Sequence, residues 1–91
     1  MIGKTQRIPS LAEVEGAILQ RIAYYCNLEL SNIDPSAPME NIAMDSILTM
    51  TIVEELQNEF NVDLPSFLFY EHETLRSSAN YIIELMETAR A

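Results

Sequence analysis

The chain is poor in the residues from which most active sites are built. Among its 91 residues are one cysteine, one histidine, two glycines and no tryptophan. A lone Cys26 excludes an internal disulfide framework and fits a reducing compartment. Cys26 and His72 stand far apart and make no zinc-ligand spacing. Gly3 and Gly16 cannot build a phosphate-binding loop. His72 lies between Glu71 and Glu73, which reads as an exposed turn residue and leaves no base for a hydrolytic serine. Basic residues are scarce too: five against fourteen acidic ones, for a formal net charge of −9. That balance argues against nucleic acid or an anionic membrane as partner and suits basic patches on other proteins, or simply solubility. No apolar run approaches the roughly 20 residues that span a bilayer, and no signal-like segment opens the chain. The expectation is a soluble, cytoplasmic, monomeric domain.

What is present is helix pattern. With 48% hydrophobic residues the chain can build a core, though one domain of this size is only marginally stable. Residues 1–9 are polar and basic without period, and are expected to be a flexible leader or linker, with the folded domain at 10–90. Ser10 and Glu13 have capping-box spacing. Leu11, Val14, Ile18, Ile22 and Tyr25 follow at helical intervals, flanked by Leu19 and Cys26, and the helix should fade near Asn27. Turn and breaker residues Asn32, Asp34, Pro35, Ser36 and Pro38 mark 28–44 as a long loop. Leu30, Ile33, Met39 and Ile42 should anchor it over the helix ends. From Ser46 to Phe60, Thr49, Ile52, Val53, Leu56 and Phe60 fall within about 60° of one direction, the core stripe of a second helix. Ile47, Thr51, Glu54 and Asn58 face away, and Met50 lies on the flank. An apolar spot at Ile47 and Met50 should therefore be exposed, rimmed by Glu54, Glu55 and Glu59. Asn61 and Pro65 end this helix. The apolar group from Phe67 to Tyr70 reads as one helical turn. Thr74 then caps a last helix whose stripe is Leu75, Ala79, Ile82, Met86 and Ala89. With no credible strand, the fold class is all-α: a bundle of three longer helices, one short helix and the long loop.

Asp45 has the chemistry of an N-cap for the second helix, which makes Ser46 its first residue. A phosphate ester on that hydroxyl would gain roughly 0.3–1 kcal/mol from the helix dipole and could be held by the first-turn amides. Plain capping explains the Asp-Ser pair equally well, and the tripeptide alone is a weak signal.

Three motifs in order make it more specific. Ile42-Ala43-Met44-Asp45-Ser46-Ile47 resembles the L-G-x-D-S-L attachment motif of acyl carrier proteins. Asn61-Val62-Asp63-Leu64-Pro65 is similar to that family's V-x-L-P segment, and Leu68 to Leu75 to its L-F-x-x-x-P-T-L segment. Together they span most of the chain and look most like polyketide synthase carriers. The resemblance implies a four-helix carrier, not an enzyme. It implies that Ser46 bears a 4′-phosphopantetheine arm, placed there from coenzyme A by a phosphopantetheinyl transferase, with Asp45 beside it. The arm would end in a thiol carrying acyl groups as thioesters. Ile47, Leu48, Met50, Thr51 and Glu54 fall where the family meets acyltransferase, ketosynthase or other assembly-line enzymes.

The chain also departs from the family pattern. Ala43 stands for glycine, Ile47 for leucine and Glu73 for the proline before Thr74-Leu75. Thr51, Gln57 and Asn58 make the second helix less acidic than in carriers of stand-alone fatty-acid synthesis, which favours a polyketide or hybrid polyketide–peptide role. A fatty-acid, peptidyl or D-alanyl carrier uses the same mechanism. An unmodified helical adaptor, with Ser46 a mere cap, is the reading from a different class.

Overall fold

Each of the three longer helices starts where a side chain satisfies amides that no helical carbonyl can reach. In the computed structural model, which describes residues 8–42 and 44–89, helix α1 runs Leu11–Cys26. The Ser10 hydroxyl accepts from the Glu13 amide at 3.1 Å, and the Glu13 carboxylate accepts from the Ser10 amide at 2.8 Å. α1 ends at Asn27 in the left-handed conformation, φ 58°, which asparagine tolerates better than most residues. Helix α2 runs Ser46–Phe60 and closes the same way at Asn61, φ 53°. The Leu64 amide then donates to Gln57 Oε1 at 2.7 Å, folding the chain back along α2. The apolar group forms α3, Leu68–Glu71, a single turn as expected. Helix α4 spans Leu75–Ala89. At its start the Thr74 hydroxyl accepts from the Ser77 amide at 3.0 Å, and the Ser77 hydroxyl accepts from the Thr74 amide at 3.1 Å. The architecture is the expected all-α arrangement, with α1 packed on both α2 and α4 and no strand among the described residues.

The core joins Val14, Ile18 and Ile22 of α1 to Ile52 and Leu56 of α2, and Leu75, Ile82 and Met86 of α4, all essentially without exposure. Leu68 and Phe69 of α3 complete the core. Burial of each such side chain contributes about 1.5–3 kcal/mol, most of it offset by the cost of ordering the chain. Residues 1–7 lie outside the described residues; Ile8 packs half-buried against the core and Pro9 is buried.

Four side chains depart from the periodic pattern. Tyr25 is 40% exposed, because its hydroxyl donates to Glu55 of α2 instead of entering the core. Leu30 is exposed on a 3₁₀ turn, Leu30–Asn32, leaving Ile33 and Met39 as the buried loop anchors. Ala89 is exposed at the end of α4. Ser78 replaces it in the core with an unpartnered hydroxyl, at a position where polarity masked the stripe. Among the described residues no helix is long and apolar enough to cross a membrane.

The long loop is tied down by backbone. The Met39 amide donates to the Glu73 carbonyl at 2.6 Å and the Arg76 amide to the Pro35 carbonyl at 2.9 Å, on either side of an antiparallel pairing of Pro38 with Thr74. Asp34 tightens the turn by accepting from the Ser36 amide and hydroxyl, bonds that hold its carboxyl below the usual range.

Two substitutions test this description. A Cβ on Gly16 would meet nothing within 4 Å, so Gly16→Ala should raise unfolding free energy by about 0.5–1 kcal/mol. Ser78→Ala removes an unsatisfied buried hydroxyl and should leave stability unchanged or increase it. Urea midpoints at constant m-value check both.

Candidate functional site

The tip of α2 is held by one residue. Asp45 is extended, φ −85° and ψ 173°, and its Oδ1 accepts from the Leu48 amide at 2.7 Å. Its carbonyl accepts from both the amide and the hydroxyl of Thr49, each at 3.0 Å. Thr49 is buried, so this clamp roots the exposed tip in the core. Ser46, next in the chain, is exposed, and its hydroxyl makes no hydrogen bond among the described residues. Beyond the capping Asp45, whose carboxylate takes the Leu48 amide, no residue in the first turn of α2 is acidic. The residues therefore fit a phosphate ester at Ser46 Oγ: an accessible hydroxyl at the positive end of a long helix, with first-turn amides beside it.

The five positions expected to meet partners separate into two groups. Ile47 is 76% exposed and Met50 51%, and Glu54 is also exposed. Leu48 is partly buried against the core, and Thr51 turns its hydroxyl back to the Ile47 carbonyl at 2.9 Å. The expected acidic rim is smaller than the sequence suggests. Arg21 of α1 holds Glu55 at 3.0 Å and Glu59 at 2.7 Å, and Tyr25 also donates to Glu55. That bond raises the Tyr25 phenol above its ordinary range. Glu55 and Glu59 thus face α1, and of the three only Glu54 remains to border Ile47 and Met50. The pairing joins residues more than thirty apart, which no helical period reveals.

Beside the tip lies an open cleft of about 580 Å³. Its apolar walls are Met39, Ile42 and Met44 of the loop and Phe69 of α3, with Thr49 of α2. Glu40, Tyr70 and Glu73 add polar groups. Met44 and Thr49 bracket Ser46 in sequence, so the cleft opens within one turn of the serine. In the sequence its walls lie apart, as the loop anchors Met39 and Ile42, Thr49 of the second-helix stripe and Phe69 of the apolar group; the Met39–Glu73 backbone bond ties the loop to the segment before α4.

The remaining reactive side chains serve elsewhere. Cys26 is half-buried at the end of α1; burial, and secondarily the Asp45 charge, raise its thiol above the ordinary value of 9.0. His72 is half-buried rather than an exposed turn residue, with its ring 4.5 Å from that of Tyr81. Ala43 lies outside the described residues.

A small helical body with an exposed serine on the clamped tip of α2, next to an open cleft, has the arrangement of a carrier domain. Residues 16–82 match the family described as Phosphopantetheine attachment site, and the chain belongs to that family. Its members are non-catalytic domains that hold 4′-phosphopantetheine covalently. A non-reducing polyketide synthase of Pseudevernia furfuracea is 30% identical over 86 residues, covering 91% of this chain but 4% of that protein. Polyketide synthase PksL of Bacillus subtilis is 30% identical over 84 residues, covering 92% of this chain and 2% of that protein. The chain therefore spans a few per cent of the length of these curated relatives. Among solved structures, the HMG-ACPI domain from the CurA module of Lyngbya majuscula superposes with a TM-score of 0.77 at 20% identity, covering 100% of this chain and 91% of that one. A free-standing peptidyl carrier protein of Acinetobacter baumannii gives 0.77 at 21% identity, covering 82% and 94%. At these identities the two show the carrier fold.

Losing the cap in Asp45→Ala should cost about 1 kcal/mol, while Asp45→Asn should retain most of that stability, measured by urea unfolding. Alkylation of Cys26 followed against pH should give a midpoint above 9.0 that moves toward it in Asp45→Asn. The Cys26 shift should vanish in denaturant.

Proposed function

We propose that this chain carries acyl intermediates of polyketide or hybrid polyketide–peptide assembly, with Ser46 as the attachment residue. The observation that carries the reading is the free, exposed Ser46 hydroxyl beside the Asp45 clamp, inside the stretch that matches the phosphopantetheine-attachment family. Carrier folds of acyl and peptidyl type superpose equally well, so the polyketide assignment draws on the sequence relatives.

In loading, a phosphopantetheinyl transferase would break the pyrophosphate bond of coenzyme A and form the Ser46 Oγ–P bond. Adenosine 3′,5′-bisphosphate leaves, and the serine proton passes to the transferase. When bound, the arm supplies a terminal thiol on which an acyl group rides as a thioester. Asp45 keeps the hydroxyl at the helix tip and presents it to the transferase, and the first-turn amides stabilise the phosphodiester charge. Tethering at Ser46 raises the effective concentration of cargo at each partner. Ile47, Met50 and Glu54 form the exposed part of the docking surface for acyltransferase and ketosynthase partners; Leu48 and Thr51 support it from beneath. Net negative charge suits basic partner surfaces, and the working form is a cytoplasmic monomer within residues 10–90.

Incubation with coenzyme A and a broad-specificity transferase should add one phosphopantetheine by intact mass. The gain should be abolished in Ser46→Ala and retained in Cys26→Ala. An adaptor that uses Ser46 only as a cap would show no mass gain while a control carrier is converted.

A further inference from the structure

The Ser46 hydroxyl has no hydrogen-bond partner among the described residues, so its place is set by the backbone that carries it. The peptide unit leading into Ser46 is the one whose carbonyl belongs to Asp45. That oxygen accepts two bonds, both from Thr49: one from the amide and one from the hydroxyl, each at 3.0 Å. The amide bond is the first of the helix ladder, but helix geometry does not require the hydroxyl bond. Thr49 is 2% exposed, so its hydroxyl reaches the cap from a side chain that is otherwise enclosed. A branched Cβ leaves it few rotamers, and a rotation that broke the bond would strand a buried hydroxyl. Thr51 makes the same kind of bond to the Ile47 carbonyl, beyond the serine and at the surface. Of the two, only the Thr49 bond lands on the peptide unit that precedes Ser46.

We propose that Thr49 is a positioning residue for phosphopantetheine transfer: its hydroxyl locks the Asp45–Ser46 peptide plane and so aims Ser46 Oγ at phosphorus in the transferase complex. The inference rests on attachment at Ser46. In that step the Oγ–P bond forms, the pyrophosphate bond of coenzyme A breaks, and the serine proton passes to the transferase. Thr49 touches none of the reacting atoms. Without its hydroxyl the plane keeps one bond of two and can rock, so a docked serine spends less time in line with the phosphorus. Docking itself is untouched, because Ile47, Met50 and Glu54 lie on the outer face of α2.

The test uses Thr49→Val, which keeps the branched shape but removes the hydroxyl, and Thr49→Ser, which keeps the hydroxyl and drops the methyl. Conversion is followed by intact mass at saturating coenzyme A, with the broad-specificity transferase in excess, so that a single turnover reports transfer and not product release. In Thr49→Val the maximal rate should fall about three- to tenfold with the half-saturating transferase concentration unchanged, and Thr49→Ser should return to within about twofold of the parent. A merely structural role gives the opposite split: a smaller folded fraction raises the half-saturating concentration and leaves the maximal rate alone. Ile22→Val, a core change in α1, should leave the maximal rate at the parent value. If Thr49→Val does not fold, judged by circular dichroism, Thr49→Ala carries the same comparison. A maximal rate in Thr49→Val equal to the parent's, or a Thr49→Ser as slow as Thr49→Val, overturns the proposal while leaving attachment at Ser46 standing. A parent protein that gains no mass while a control carrier is converted refutes the carrier reading, and this inference with it.

Discussion

Everything at the working end of this domain hangs on Asp45. Its side chain satisfies one amide of α2 and its carbonyl receives two bonds from buried Thr49. A helix tip fixed only by its own first turn would fray. This one is anchored to the core through a threonine whose hydroxyl points back at the cap, and Ser46 is exposed beside it. On the proposed reading the serine needs no activating neighbour: the bond-making chemistry would belong to a transferase, and the domain would supply a placed hydroxyl at the favourable end of a helix dipole.

The second constraint is the strap between the long loop and the start of α4. Loops without regular structure carry backbone polar groups that must be paired or hydrated. Here they are paired with the carbonyls and amides around Glu73, Thr74 and Arg76. One consequence is the cleft between the loop and α3. The other is that residues from four separate segments share one surface next to Ser46.

Charge is arranged differently from what its total suggests. Fourteen acidic residues imply a uniformly negative domain, yet Arg21 withdraws Glu55 and Glu59 from the outward face of α2, and Arg76 is bound to Glu15. Exposed pairs of this kind add little to stability. Their effect is on which carboxylates stay without an ion pair at the surface among the described residues: Glu54 beside Ile47 and Met50, Glu40 and Glu73 at the cleft.

The helices, their caps and most of the core were legible from the sequence, because period, capping residues and breakers act over three or four positions. Ser10 with Glu13, Asn27, Asp45 and Asn61 fill the roles their neighbours in sequence assign to them. Contacts between residues distant in the chain were not legible. Tyr25 left the stripe for Glu55, Leu30 turned outward on a 3₁₀ turn, His72 found Tyr81, and Ser78 entered the core against its polarity. The cleft belongs to the same group, since its walls meet only after the loop bonds to the segment before α4. Local pattern therefore determined which segments are helical and which serine stands at a tip. Only tertiary packing decided what that serine stands beside, because cross-helix bonds and loop pairing depend on distances that sequence spacing does not encode.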